Sequence, residues 1–122
     1  MKIKTANLIG EQLDYAVAKA LGFEPYWDDD MEDCVFSHEI APCVFLREFK
    51  PQEWAQGGPI IEQKRIHICP IFYNDYEATQ AWIDDRNNPE KSDGPTPLIA
   101  AMRCYAASKL GDEVEIPDEL CN

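Results

Sequence analysis

The chain has 122 residues, with 11 Lys and Arg against 23 Asp and Glu, a formal charge of −12 and 45% hydrophobic residues. A chain of this length buries about two-thirds of its unfolded surface, enough for one core, so a single domain over residues 1–122 is expected and disorder throughout is not. The acid excess argues against nucleic acid and anionic membrane as partners, because phosphate affinity rests on clustered Lys and Arg.

No apolar run approaches the ~18 to 20 residues of a membrane span, and Met1-Lys2-Ile3-Lys4-Thr5 has no signal-peptide core, so a cytoplasmic protein is expected. Five cysteines without a CxxC pair predict reduced thiols. Cys69 and Cys104, in apolar stretches, read as small buried hydrophobes, and Cys121 as exposed at a loose end.

After a short alternating stretch, Met1 to Thr5, the stripe Leu13, Ala16, Val17, Ala20 and Leu21 predicts an amphipathic helix over about 9–21. Lys19 suits its last turn and Gly22 its stop. Residues 24–39 are acidic with interleaved aromatics, a loop with short strands; Cys43 to Phe49 alternates poorly, as a buried strand or a covered loop would. Gly57-Gly58-Pro59 predicts a short helix over about 59–64, with Pro59 at its first position.

Ile66 to Tyr73 reads as a strand that Pro70 bends or keeps at an edge. Glu77 to Ile83 returns antiparallel to it through Asn74-Asp75-Tyr76, with Ala78, Gln80 and Trp82 on one face and Glu77, Thr79, Ala81 and Ile83 on the other. Arg86 to Pro95 reads as a polar loop. Thr96 as N-cap and Pro97 at the first helical position open a helix with an apolar face of Leu98, Ala101, Met102, Tyr105 and Ala106, stopped by Gly111. Asp112 to Asn122, with five acids and no base, reads as an acidic tail. The sum is an α+β chain with about three helices and a small antiparallel sheet.

Three segments, taken in order, carry a likeness: Lys2-Ile3-Lys4-Thr5 with Leu13 to Ala20, Trp54 to Glu62, and Gly94 to Arg103. Together they resemble the NinX-like proteins of tailed phages, small accessory proteins without an established activity. They also look like a degenerate version of the phage domain described as an α-β-α sandwich, which implies three helices packed on a small antiparallel sheet. The sequence departs from that pattern in the acidic stretch Trp27 to Glu39 and around Ile40 to Lys50.

Two helix starts are candidate ligand sites. In Trp54-Ala55-Gln56-Gly57-Gly58-Pro59, Trp54 offers a stacking face, Gln56 an amide, and Gly57 and Gly58 backbone N–H groups that a ligand could approach closely; the alternative is a tight turn with Trp54 plugging the core. At the second start, Thr96 and Arg103, with Lys91 and Ser92 nearby, could hold a phosphate, or Thr96 could serve as cap and Arg103 as a surface charge.

Asp28-Asp29-Asp30 with Glu32 and Asp33 could hold a divalent cation, but without an EF-hand spacing a solvated acidic loop is the better reading. His38 and His67 lack a second ligand pair at zinc spacing, so no metal and no cofactor are expected. The chain shows no nucleophile with a base, no P-loop and no metal-binding His pair, hence no enzyme.

The leading expectation is a non-enzymatic phage accessory protein that binds a small anionic ligand through Trp54, Gln56, Gly57, Gly58, Thr96 and Arg103, plausibly sequestering a host signalling nucleotide. The alternative is an acidic, DNA-mimic-like interaction module for a basic host protein. A third reading is a metal-dependent hydrolase using Asp28 to Asp30. Self-association through a sheet edge is compatible with all three.

Overall fold

The computed structural model describes residues 1–37, 43–73, 76–83 and 91–121. Three α-helices and three small antiparallel sheets give an α+β fold. In chain order the elements are β1 (Lys2–Lys4), α1 (Gly10–Ala20), β2 (Tyr26–Asp28), β3 (Asp33–Phe36), β4 (Val44–Phe45), α2 (Trp54–Lys64), β5 (Ile66–Tyr73), β6 (Tyr76–Ile83), β7 (Lys91–Gly94), α3 (Pro97–Leu110) and β8 (Glu113–Glu115). Instead of the one sheet expected, β1 pairs with β8, β2-β3-β4 form a second sheet and β5-β6-β7 a third.

Helix α3 occupies the middle. It lies against all three strands of the β5-β6-β7 sheet and also packs on α1 and α2. The apolar face expected for it is wider than predicted, because Ala100 and Cys104 are buried along with Leu98, Ala101, Met102, Tyr105 and Ala106. Alanine side chains let the sheet and α1 approach its backbone from opposite sides. Thr96 caps it, its hydroxyl accepting from the Ile99 N–H at 3.1 Å, with Pro97 at the first position as the sequence implies. Tyr105 donates from its hydroxyl to the Ala20 carbonyl, tying α3 to the end of α1.

Helix α2 begins at Trp54, not at Pro59, which sits inside it. The Glu53 carbonyl accepts from the N–H groups of Gln56 and Gly57 and opens the helix one and a half turns earlier than the proline suggests. The ring of Pro59 leaves the Ala55 carbonyl without its helical donor; both residues are exposed, where water can serve it. A Cβ at Gly57 would stand 2.1 Å from the Pro51 carbonyl oxygen and 2.5 Å from Leu98 Cδ2, so a glycine is what allows α2 to reach both. Seven residues further along each helix, Lys64 Nζ lies 5.8 Å from the Tyr105 ring centroid, so α2 and α3 run in the same direction.

Two further expectations are corrected. The segment read as a polar loop contains β7, which pairs Lys91–Gly94 with Trp82–Thr79; these residues have poor strand propensity and are held by the neighbouring strand instead. The acidic tail is no tail. Glu113-Val114-Glu115-Ile116 alternates with a period of two, β8 pairs with β1 from Lys2↔Glu115 to Lys4↔Glu113, and Val114 and Ile116 are buried. The expected hairpin is present, with Ile66↔Ile83, Ile68↔Ala81, Pro70↔Thr79 and Phe72↔Glu77 on the face toward α3 and His67↔Trp82 and Cys69↔Gln80 on the other. Pro70 lies on the edge strand β5. Cys69 is exposed and Cys121 half-buried, both unlike the expectation, whereas Cys104 is buried. Asn74, Asp75, His38 to Pro42 and residues 84–90, which include the expected hairpin turn, lie outside the described residues.

The two adjacent glycines of α2 are expected to respond oppositely to a methyl group. Gly57→Ala forces the Pro51 backbone or Leu98 to move and lowers stability by about 1–3 kcal/mol. Gly58→Ala meets only Trp54 Cε3 at an ordinary 3.8 Å and raises stability by about 0.5–1 kcal/mol through helix propensity. Chemical denaturation of the two variants measures both.

Candidate functional site

The six residues singled out in the sequence fall in different places. Trp54 is 57% exposed on the first turn of α2. Gln56 is built into the fold: its Oε1 accepts from the Lys50 N–H at 2.8 Å and its Nε2 donates to the Glu48 carbonyl at 3.1 Å, fixing the chain that enters α2. Gly57 is buried, and its N–H is engaged by the Glu53 carbonyl at 2.7 Å, so it offers no donor to a ligand; this corrects the role expected of it. Gly58 is half-buried within the helix, no longer a loop residue before a helix start. The Thr96 hydroxyl is the α3 cap.

Arg103 is different. It lies half-buried on α3, where its Nε donates to the Leu8 carbonyl at 2.9 Å and its Nη1 to the Asp93 carbonyl at 3.0 Å. Burial lowers its pKa from the ordinary value, although a guanidinium stays protonated. Among the described residues no carboxylate stands within ion-pair distance of it. Two carbonyls therefore aim the guanidinium, while among the described residues Nη2 and its two N–H groups keep their donor capacity.

The cleft that Arg103 lines has a volume of about 460 Å³ and runs along the outer side of β7, with Ala6 beside it, Lys91 and Ser92 in its wall, and Glu77 and Ala78 of β6 also lining it. Lys91 Nζ lies 5.6 Å from the centroid of Trp82, whose ring stacks on His67 at 5.2 Å and 4°. The aromatic that touches the cleft's lysine is thus Trp82, not Trp54. Arg103 and Lys91 balance Glu77 and Asp93 in the lining, a locally neutral wall in a chain of −12. Lys91 and Ser92 are close in sequence to Arg103, but Ala6, Glu77 and Ala78 join them only through the pairing of β6 with β7 and the carbonyl of Leu8, which no local pattern announces.

The family model described as bacteriophage P22 NinX matches residues 4–109. The chain belongs to that family. The NinX match includes every residue of the cleft and the whole of α1, α2 and α3 except the last residue of α3. No curated protein matches the chain. Among the described residues no helix is long and apolar enough to cross a membrane.

Two other concavities differ in chemistry. One holds Phe23, Phe36 and Phe49, with Gln56 at its side; Phe36 stacks on Phe23 at 5.1 Å and meets Phe49 edge-on at 5.5 Å. The other lies between α1 and the chain entering α2 and contains Asp14, whose Oδ1 accepts from Gln52 Nε2 at 2.8 Å. The acidic turn between β2 and β3 is occupied by its own hydrogen bonds: Asp28 Oδ1 accepts from the N–H groups of Asp30 and Met31, and Asp29 Oδ1 from Trp27 Nε1. Asp33 is buried and accepts from the N–H groups of Cys34 and Arg47. Among the described residues no three His, Cys, Asp or Glu side chains are grouped to hold a metal ion, and His38 lies outside them.

Asp14 sets a pH dependence. Burial pushes its carboxyl up to about 7, against the opposing hydrogen bond from Gln52. Because the folded pKa lies above the unfolded value of 3.8, the folded state binds the extra proton, and stability falls as pH rises from about 4 through about 7. Asp14→Asn is expected to remove that fall, gaining up to about 4 kcal/mol over the unmodified chain at pH 8 and little at pH 4. Denaturant melts at the two pH values measure it.

Proposed function

We propose that this NinX-family protein is a non-enzymatic phage accessory protein that binds a small anionic ligand, of the nucleotide class, in the cleft beside β7. The observation that carries the reading is the Arg103 guanidinium, aimed by the carbonyls of Leu8 and Asp93 and left without a carboxylate among the described residues of a strongly acidic chain. A pre-organised guanidinium in a partly dry wall is a strong phosphate donor, because its orientation is fixed before the ligand arrives. Lys91 adds a second positive charge and Ser92 a hydroxyl in the same wall. The volume suits a ligand of nucleotide size. The overall charge slows the approach of an anion but weighs little once the ligand is seated, since charges beyond about 10 Å are screened at ordinary salt.

Thermal melting against linear and cyclic nucleotides tests the reading. A ligand at 100 times its dissociation constant stabilises by about 2.7 kcal/mol. Lys91→Ala, at an exposed position, is expected to weaken binding about tenfold while lowering the unliganded stability by no more than about 1 kcal/mol, the worth of its contact with Trp82. Arg103→Lys keeps the charge but loses the fork and is expected to weaken it further. No shift with any nucleotide overturns the proposal and turns attention to the acidic surface and a basic protein partner.

A further inference from the structure

The hairpin β5–β6 overhangs the core in a way the cleft does not explain. Phe72 is 73% exposed and Ile68 38% exposed, both on the face that α3 covers elsewhere. Strand β5, Ile66-His67-Ile68-Cys69-Pro70-Ile71-Phe72-Tyr73, is an edge strand of eight residues without an acid, a lysine or an arginine, and Glu77 is the one acid of the two strands. Edge strands usually carry charge that prevents pairing with another chain. In a chain of −12, this strand brings no carboxylate of its own to a second copy.

The direction of the open backbone groups follows from Arg103. Its bond to the Asp93 carbonyl shows that Asp93 and Lys91 point their peptide groups away from the sheet, so Ser92 and Gly94 point theirs at Ala81 and Thr79. Ala78, Gln80 and Trp82 then face Ile71, Cys69 and His67. By alternation Ile66, Ile68, Pro70 and Phe72 direct their peptide groups to the open edge, where Pro70 supplies a carbonyl alone.

We propose that β5 pairs antiparallel with β5 of a second copy about a two-fold axis at Cys69, joining two three-stranded sheets into one. Residues opposite one another in such a pair share a face, which restricts the axis to a residue position. With the axis at Cys69, Ile66 stands opposite Phe72 and Ile68 opposite Pro70, and every outward N–H from Ile66, Ile68 and Phe72 meets a carbonyl. An axis at Pro70 sets two donorless residues opposite each other, and one at Ile68 leaves Phe72 beyond the strand.

The chosen register also fills a concavity. Beside Ile66, between α2 and β5, lies a hollow of about 650 Å³ lined by Ile61, Ile66, His67 and Ile83 and by the charged side chains of Glu62, Lys64 and Arg65. Phe72 of the second copy arrives at Ile66, its ring over the three isoleucines. Glu77, paired with Phe72 on the neighbouring strand, comes to the same end as Lys64 and Arg65, two cations against the one acid Glu62 of that hollow. The two-fold repeats this match at the other end of the strand.

Sedimentation of the full chain from micromolar to submillimolar concentration tests the proposal. The expected result is a concentration-dependent dimer that Phe72→Glu and Ile68→Glu each weaken at least tenfold, with the far-ultraviolet circular dichroism unchanged because both side chains are exposed. In a Cys43→Ser, Cys121→Ser background, diamide oxidation should link the two copies through Cys69, and Cys69→Ser should abolish the link. A monomer at all concentrations, or a dimer indifferent to both glutamates, overturns the proposal. A dimer sensitive to them that does not link through Cys69 overturns the register.

Discussion

A helix that is apolar on more than one side cannot lie on a surface, and α3 imposes that condition on everything around it. The β5-β6-β7 sheet covers one side, α1 another and α2 a third. Small side chains at Ala100, Ala101 and Ala106 bring these neighbours close, and glycines answer them: a Cβ at Gly94 would stand 2.6 Å from the Ala100 nitrogen, and Gly57 makes the corresponding approach from α2 to Leu98. The one charged side chain in this central stretch, Arg103, emerges at the boundary beside β7, where it donates hydrogen bonds to the backbone carbonyls of Leu8 and Asp93. The cleft is thus a by-product of how the helix is enclosed. A charged group in the middle of a buried helix must be bonded or exposed, and Arg103 is both.

Much of this architecture is legible in the sequence wherever the deciding information is local. The stripe from Leu13 to Leu21 and the Thr96-Pro97 start mark α1 and α3 within a residue or so, because periodicity and capping are written in neighbouring side chains. The hairpin and its two faces follow from alternation, and Pro70 correctly marks an edge. Errors fall where distant residues decide. Lys91-Ser92-Asp93-Gly94 is a strand because Thr79 to Trp82 hold it, and α2 begins five residues before Pro59, where Gly57 is packed against Leu98 of α3. At Glu113 to Glu115 the acid count hid a two-residue period that Val114 and Ile116 make plain once β1 is beside them.

The candidate site was legible to the extent that Arg103 carries it. Its surroundings were not, since the carbonyls that orient it come from Leu8 and Asp93, and a carbonyl has no signature in the sequence. Trp54, Gln56, Gly57 and Gly58 look like a binding loop because glycines, an amide and an indole cluster there. Three of the four have packing or helical duties instead: Gln56 secures the entry to α2, Gly57 lets two helices meet and Gly58 continues one. Glycine next to an aromatic signals closeness of approach, and what approaches here is the protein itself.

The ribbon of β1 and β8 joins Lys2 to Glu115 and is fastened at its base by Thr5, whose N–H and hydroxyl both donate to the Asp112 carbonyl. Few contacts in the fold span more of the chain, and a pairing of such separation gains nothing until the intervening segments have already been brought together. The hairpin β5–β6 and the helices, by contrast, form from neighbours. The ribbon therefore carries the largest loop-closure cost of the three sheets, and the burial of Val114 and Ile116 in the core is what offsets it.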